Sequence, residues 1–200
     1  DIWCERVFAP WKDMGDALKK ENFPLYALES GDALLDFDIL GISLQYEMCY
    51  SNILYCLDLA GIPLFAKDRD DSFPIIIGGG PCTYNPEPVA DFFDVFNIGE
   101  GEEMLVEFAK KYIEYKEQCK ENGRPFSKRD FLHKAAREIK GIYVPSFYNI
   151  EYNGPQGTIS QIIPIYNDIP KKVERRLISD FDNSYFPDKS PLPYIETVHN

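Results

Sequence analysis

The residues that could do chemistry in this chain are few, and most of them are glycines. "PIIIGGGPCTYNPEP", residues 74–88, runs an aliphatic strand into three consecutive glycines, and "FNIGEGEE", residues 96–103, repeats the device. Glycine at 78, 79, 80, 99 and 101 removes Cβ atoms from the places where strands end, so a flat ligand could lie against bare main chain there. Conventional catalytic groups are scarce. The only histidines are His133 and His199, neither near the glycines in sequence, and no Ser-His-Asp or Cys-His arrangement can be assembled. Five cysteines at 4, 49, 56, 82 and 119 include no Cys-x2-Cys pair and no histidine at ligand spacing, so no zinc or cluster site is written here. Their odd number and scatter predict reduced thiols in a cytoplasmic protein.

A phosphate-bearing ligand is disfavoured at the glycine turns. Neither G-x-G-x-x-G nor G-x4-G-K-[ST] occurs, and no Lys or Arg stands in the turns. Glu100, Glu102 and Glu103 put negative charge at a helix start, where a phosphate would need the positive end of the dipole. The whole chain has a net charge of −12, with 33 acidic against 21 basic residues, which repels nucleic acid. The basic run "KKVERR", residues 171–176, reads as one solvated face of a short helix.

Stepping outward to the elements that must hold these turns, the chain reads as repeated strand–turn–helix units. "DFDILGISLQ" predicts a strand buried on both faces, followed by a helix over "YEMCYSNILYCLDLAG" with Ile53, Leu57 and Ala60 on its inner stripe. "PIIIGGG" is a strand before a short helix "NPEPVADFF", capped by Asn85 with Pro86 in its first turn. "DVFNIG" is a strand before a long helix from Glu102, whose inner face carries Leu105, Phe108, Tyr112 and Tyr115 and which stops at Asn122 and Gly123. "WCERVFAP" and "LYALE" read as strands, and "KDMGDALKKEN" and "KRDFLHKAAREIKG" as helices. After the strand "IYVPSF" the pattern changes, and "FYNIEYNGPQGTISQIIPIY" predicts a β-hairpin followed by a connecting arm.

The predicted fold is therefore α/β: a doubly wound, mostly parallel sheet with helices on both faces, Rossmann-like or flavodoxin-like, plus a C-terminal hairpin. Residues 1–140 form the predicted Rossmann-like domain and residues 141–200 the hairpin and linker arm. In such a sheet the turns "SLQYE", "GGGPC" and "GEGEE" share the edge beyond the strands' carboxyl ends, where ligands bind. With 44% hydrophobic residues and no apolar run near the ~18 residues of a membrane span, the chain reads as a soluble protein without a membrane partner. It opens on Asp1 with no signal peptide, as if it were a piece of something longer.

"DILGISLQYEMCYSNILYCLDLAGIPL", "PIIIGGGPCTYNPEPVADFFDVFNIGEGEE" and the closing "PYIETVHN" together resemble the N-terminal, cobalamin-binding-like Rossmann region of an uncharacterised group of radical S-adenosylmethionine (SAM) proteins. The resemblance covers nearly the whole chain and implies an accessory module whose partner is a radical SAM domain in the same polypeptide. The 4Fe-4S cluster and S-adenosylmethionine would belong to that parent protein, because the Cys-x3-Cys-x2-Cys of the radical domain is absent here. It also implies cobalamin at the strand edge, with Ser43, Leu44 and Gln45 in the position of the family's Ser-x-Leu and Gly78, Gly79, Gly80 and Pro81 in that of its Gly-Gly. Gly99, Glu100 and Gly101 would complete the rim. Gln45 stands where leucine is usual, and the family's opening strand and helix, with the Asp-x-His-x2-Gly cobalt ligand of some members, would lie upstream of Asp1. The alternative is a non-catalytic docking domain that keeps the fold without the cofactor and presents the hairpin to a neighbour.

Overall fold

The computed structural model describes residues 2–155 and 157–185. "PYIETVHN" and His199 therefore lie outside the described residues, as does Asp1.

The sheet is built as the aliphatic runs predict. β1 (Ile39–Ser43), β2 (Ile75–Gly79) and β3 (Val95–Asn97) are parallel neighbours, and β4 (Ile142–Tyr143) closes the order β1-β2-β3-β4 by pairing antiparallel with β3. Register pairs Ser43 with Gly79 and Gly78 with Phe96. Ile75, Ile76 and Ile77 are all at most 3% exposed, so β2 is covered on both faces. β1 differs from the expectation: its residues are half-buried or exposed, because it forms an edge of the described sheet with a partner on one side only. The strand order follows the chain without the reversal that marks a doubly wound sheet.

Helices α1 (Lys12–Lys20), α2 (Tyr50–Leu59), α3 (Met104–Glu121) and α4 (Lys128–Glu138) fall where the 3.6-residue pattern puts them. In α2 the stripe of Ile53 and Leu57, with Ala60 just beyond the last turn, is buried. In α3 the expected Phe108, Tyr112 and Tyr115 are buried, joined by Met104 and Cys119, while Leu105 is exposed and Met104 takes its place on the inner face. The Phe131 ring of α4 packs 5.1, 5.3 and 5.8 Å from the rings of Phe108, Tyr112 and Tyr115. Ser127 caps α4 by accepting the Asp130 N–H at 3.2 Å. Two short predicted elements are absent. "WCERVFAP" is irregular chain, and "LYALE" makes a single bridge between Tyr26 and Ala33. "NPEPVADFF" is a 3-10 turn over Glu87–Phe92 whose cap is Pro86, not Asn85. Its Glu87 carboxylate accepts the Tyr143 hydroxyl at 2.5 Å, which ties the connection between β2 and β3 to β4.

The hairpin is present as predicted, with β5 (Tyr148–Tyr152) antiparallel to β6 (Ile159–Pro164). Ile150 and Ile162 are opposed across it, Ile150 half-buried on the side of the buried Tyr148, and Tyr152 and Ile159 are exposed toward the tip.

The amino ends of β2 and β3 are pinned by a buried ion pair. Arg69 and Asp94 meet at 3.2 Å with their side chains 0% and 5% exposed. The guanidinium also donates to the carbonyls of Pro63, Leu64 and Phe92, and Asp94 accepts the Ile76 N–H at 2.8 Å. Removing one member strands the other charge in the core. Asp94→Ala should therefore cost about 3 to 5 kcal/mol in a urea unfolding experiment, and Arg69→Met combined with it should cost less than the two single changes added together.

Candidate functional site

The three turns do end neighbouring parallel strands and share one edge of the sheet. What lies against their bare backbone is the chain itself. After β1, the Leu44 N–H donates to the Gly79 carbonyl at 2.6 Å and the Leu44 carbonyl accepts the Cys82 N–H at 3.1 Å, so the first two turns are stitched main chain to main chain. Gly80 has φ +102°, and a Cβ there would sit 3.0 Å from the Leu44 oxygen. Leu44 is fully buried, pointing inward where a ligand contact was expected. A Cβ on Gly78 would meet the Phe96 ring at 2.7 Å and a Leu44 methyl at 3.1 Å, so this glycine makes room for core side chains.

The third turn is covered more completely. Gly99 has φ +109°, and a Cβ there would stand 2.2 Å from the Arg176 carbonyl oxygen and 2.6 Å from its nitrogen. Arg176 makes a parallel bridge to Gly99: its N–H donates to Ile98 at 2.8 Å and its carbonyl accepts the Glu100 N–H at 3.1 Å. The Glu100 carboxylate takes the Ile178 N–H. The Arg176 guanidinium clamps Glu107 at 2.8 Å and Glu103 at 3.0 Å, and those two carboxylates raise its pKa further. Gly141, with φ +92°, opens the other side: a Cβ there would be 3.1 Å from Arg176 Cβ. The run "KKVERR" is thus an extended strap over the rim, not the solvated helical face its charges suggested.

Of the predicted site residues, Gly79 alone among Gly78, Gly79, Gly80, Gly99 and Gly101 has nothing within 4 Å of a would-be Cβ; at Gly101 the Asn97 amide lies 3.3 Å away. Ser43, its register partner, is exposed, as are Gln45 and Pro81, and Pro81 opens a 3-10 turn over Pro81–Tyr84. Sequence reasoning did not single out Asn97, which is 4% exposed, donates to the Gly99 carbonyl at 3.2 Å and leaves its Oδ1 without a partner among the described residues. Nor did it find Tyr50, whose hydroxyl burial and the neighbouring Cys82 push up to about 12. Tyr50 is therefore a hydrogen-bonding group at neutral pH and no base. Among the described residues no group of three or more His, Cys, Asp or Glu could hold a metal ion. No described helix is long and apolar enough to cross a membrane.

A family described as "Radical SAM proteins, N-terminal" matches residues 1–145. The chain belongs to this family. The match stops before the hairpin and the strap, so it covers less of the chain than the motifs implied. Over 82 residues the chain is 39% identical to "Uncharacterized protein MJ0966" of Methanocaldococcus jannaschii, a stretch that is 40% of this chain and 16% of that relative. No solved structure matches the chain.

Two substitutions separate packing from ligand-making glycines. Gly99→Ala should cost about 1 to 3 kcal/mol in urea unfolding and expose residues 170–185 to protease, because a left-handed alanine there collides with the strap. Gly79→Ala, with free space beside it, should stay within about 0.5 kcal/mol of the parent.

Proposed function

We propose that this chain is the N-terminal accessory module of a radical SAM enzyme and that it works as a non-catalytic docking domain, its strand-edge crevice filled by its own polypeptide. The 4Fe-4S cluster and S-adenosylmethionine belong, on this reading, to a radical SAM domain elsewhere in the same polypeptide. The observation that carries it is the Arg176 main chain lying on Gly99, where a corrin edge would have to approach. Gly78 and Gly80 are likewise taken up by Phe96 and Leu44. The exposed apolar side chains toward the hairpin tip, Tyr152 and Ile159, support docking as well. The parallel β1-β2-β3 succession supports reading the sheet as one wing of a Rossmann-like, doubly wound fold.

A second reading keeps cobalamin. It is favoured by exposed Ser43 beside open Gly79, which together would offer a hydroxyl and bare backbone to a corrin amide. These two residues alone do not make a corrin cradle, so no chemistry is derived through the cofactor. Titration with hydroxocobalamin, followed by visible absorption, distinguishes the two readings. The docking reading expects no saturable spectral change. A saturable shift abolished by Gly79→Val would replace it with the cofactor reading.

A further inference from the structure

Far in sequence from the strand edge, the first thirty residues leave an apolar face uncovered. Trp3 is 77% exposed, Trp11 84%, Phe8 66% and Phe23 57%. Backbone and side-chain contacts bring the segments that carry them into one region of the molecule. The lead-in chain is fastened to the turn over residues 28–30 by the Leu28 N–H on the Arg6 carbonyl at 2.9 Å, by Arg6 on Glu29 at 2.6 Å, and by Glu5 accepting the Ser30 N–H at 2.9 Å. The same turn continues into Gly31, which with Met14, Leu18, Phe23 and Tyr26 lines an apolar groove of about 580 Å³ beside α1. The chain has only two tryptophans, and both are here. Tryptophan is the residue type most enriched where interfaces concentrate their binding energy.

The charge of the chain narrows what can cover this face. A second copy would bring together two bodies each of net charge −12, which repel at long range. An anionic membrane surface would repel it for the same reason. A covalently connected body needs no long-range attraction, since tethering holds it at high effective concentration. Such a body is expected from length: 82 residues are 16% of the matched relative, so 82/0.16 puts that protein at about 510 residues, against 200 here.

We infer that the face formed by Trp3, Phe8, Trp11 and the Met14–Phe23 groove is the seat of the radical SAM domain of the same polypeptide. This deepens the docking reading above and rests on it. The aromatic side chains fill apolar recesses of that domain, while Glu5, Arg6 and Glu29 stay at the wet rim. The strap at Arg176 then has a separate task, closing the strand edge.

The test uses the full-length protein. A photo-crosslinking benzoylphenylalanine in place of Trp11 should, on irradiation, join to peptides beyond residue 200, in a yield independent of protein concentration. In the unmodified protein, hydroxyl-radical oxidation of Trp3 should be at least about fivefold slower than in the urea-unfolded chain, as burial in an interface core requires. Crosslinks confined to residues 186–200, a concentration-dependent crosslinked dimer, or no crosslink with Trp3 oxidising at the unfolded rate would each overturn the inference. Iron and the visible spectrum of the reconstituted cluster are read on the same sample. A clustered protein with an open Trp3 sinks only the docking face, whereas a full-length protein that cannot hold a cluster sinks the radical SAM reading beneath it.

Discussion

The contact on which the carboxyl edge of this sheet depends is a main-chain one, between residues 98–100 and Arg176. Two hydrogen bonds run across it, and it exists only because Gly99 and Gly141 both take positive φ and carry no Cβ. The ion pairs of Arg176 with Glu103 and Glu107 then hold the strap in place. Exposed pairs alone would contribute little. Here they act on a backbone that glycine has already admitted.

The sheet is thus secured at both ends by different physics. At the amino ends of β2 and β3 a dry ion pair, Arg69 with Asp94, gathers the carbonyls of Pro63, Leu64 and Phe92. At the carboxyl ends the turns pack on one another and on the strap, with Leu44 and Phe96 occupying the space beside Gly78. Tyr50 keeps its proton at neutral pH.

Much of the architecture was legible because local signals agreed with burial. The isoleucines of β2, the stripe on α2, the Asn122 and Gly123 stop of α3 and the hairpin all follow from period and turn chemistry. The family was legible from the glycine and N-P-E-P motifs, and the match over residues 1–145 agrees. The purpose of the glycines was not legible. A missing Cβ reports close approach without saying what approaches, and the answer for Gly99 lay 77 residues away in a basic run whose charges suggested a solvated helix. On α3, Phe108, Tyr112 and Tyr115 follow the period, whereas the adjacent apolar pair Met104 and Leu105 at the helix start offers the period two choices, of which Met104 is the buried one. The aromatic lead-in reads as a strand in sequence because residue type alone cannot distinguish a side chain facing a core from one facing solvent.

Closure of the glycine edge depends on the strap. Amide hydrogen exchange by NMR on the native protein reads it at single residues, through the N–H of Arg176 on Ile98 and the N–H of Glu100 on Arg176. Both amides should exchange at least about tenfold more slowly than their sequences dictate in an unfolded chain, and Gly99→Ala should release both together. Exchange of both at the unfolded rate in the unmodified protein would mean that the glycine edge is open and would contradict the account.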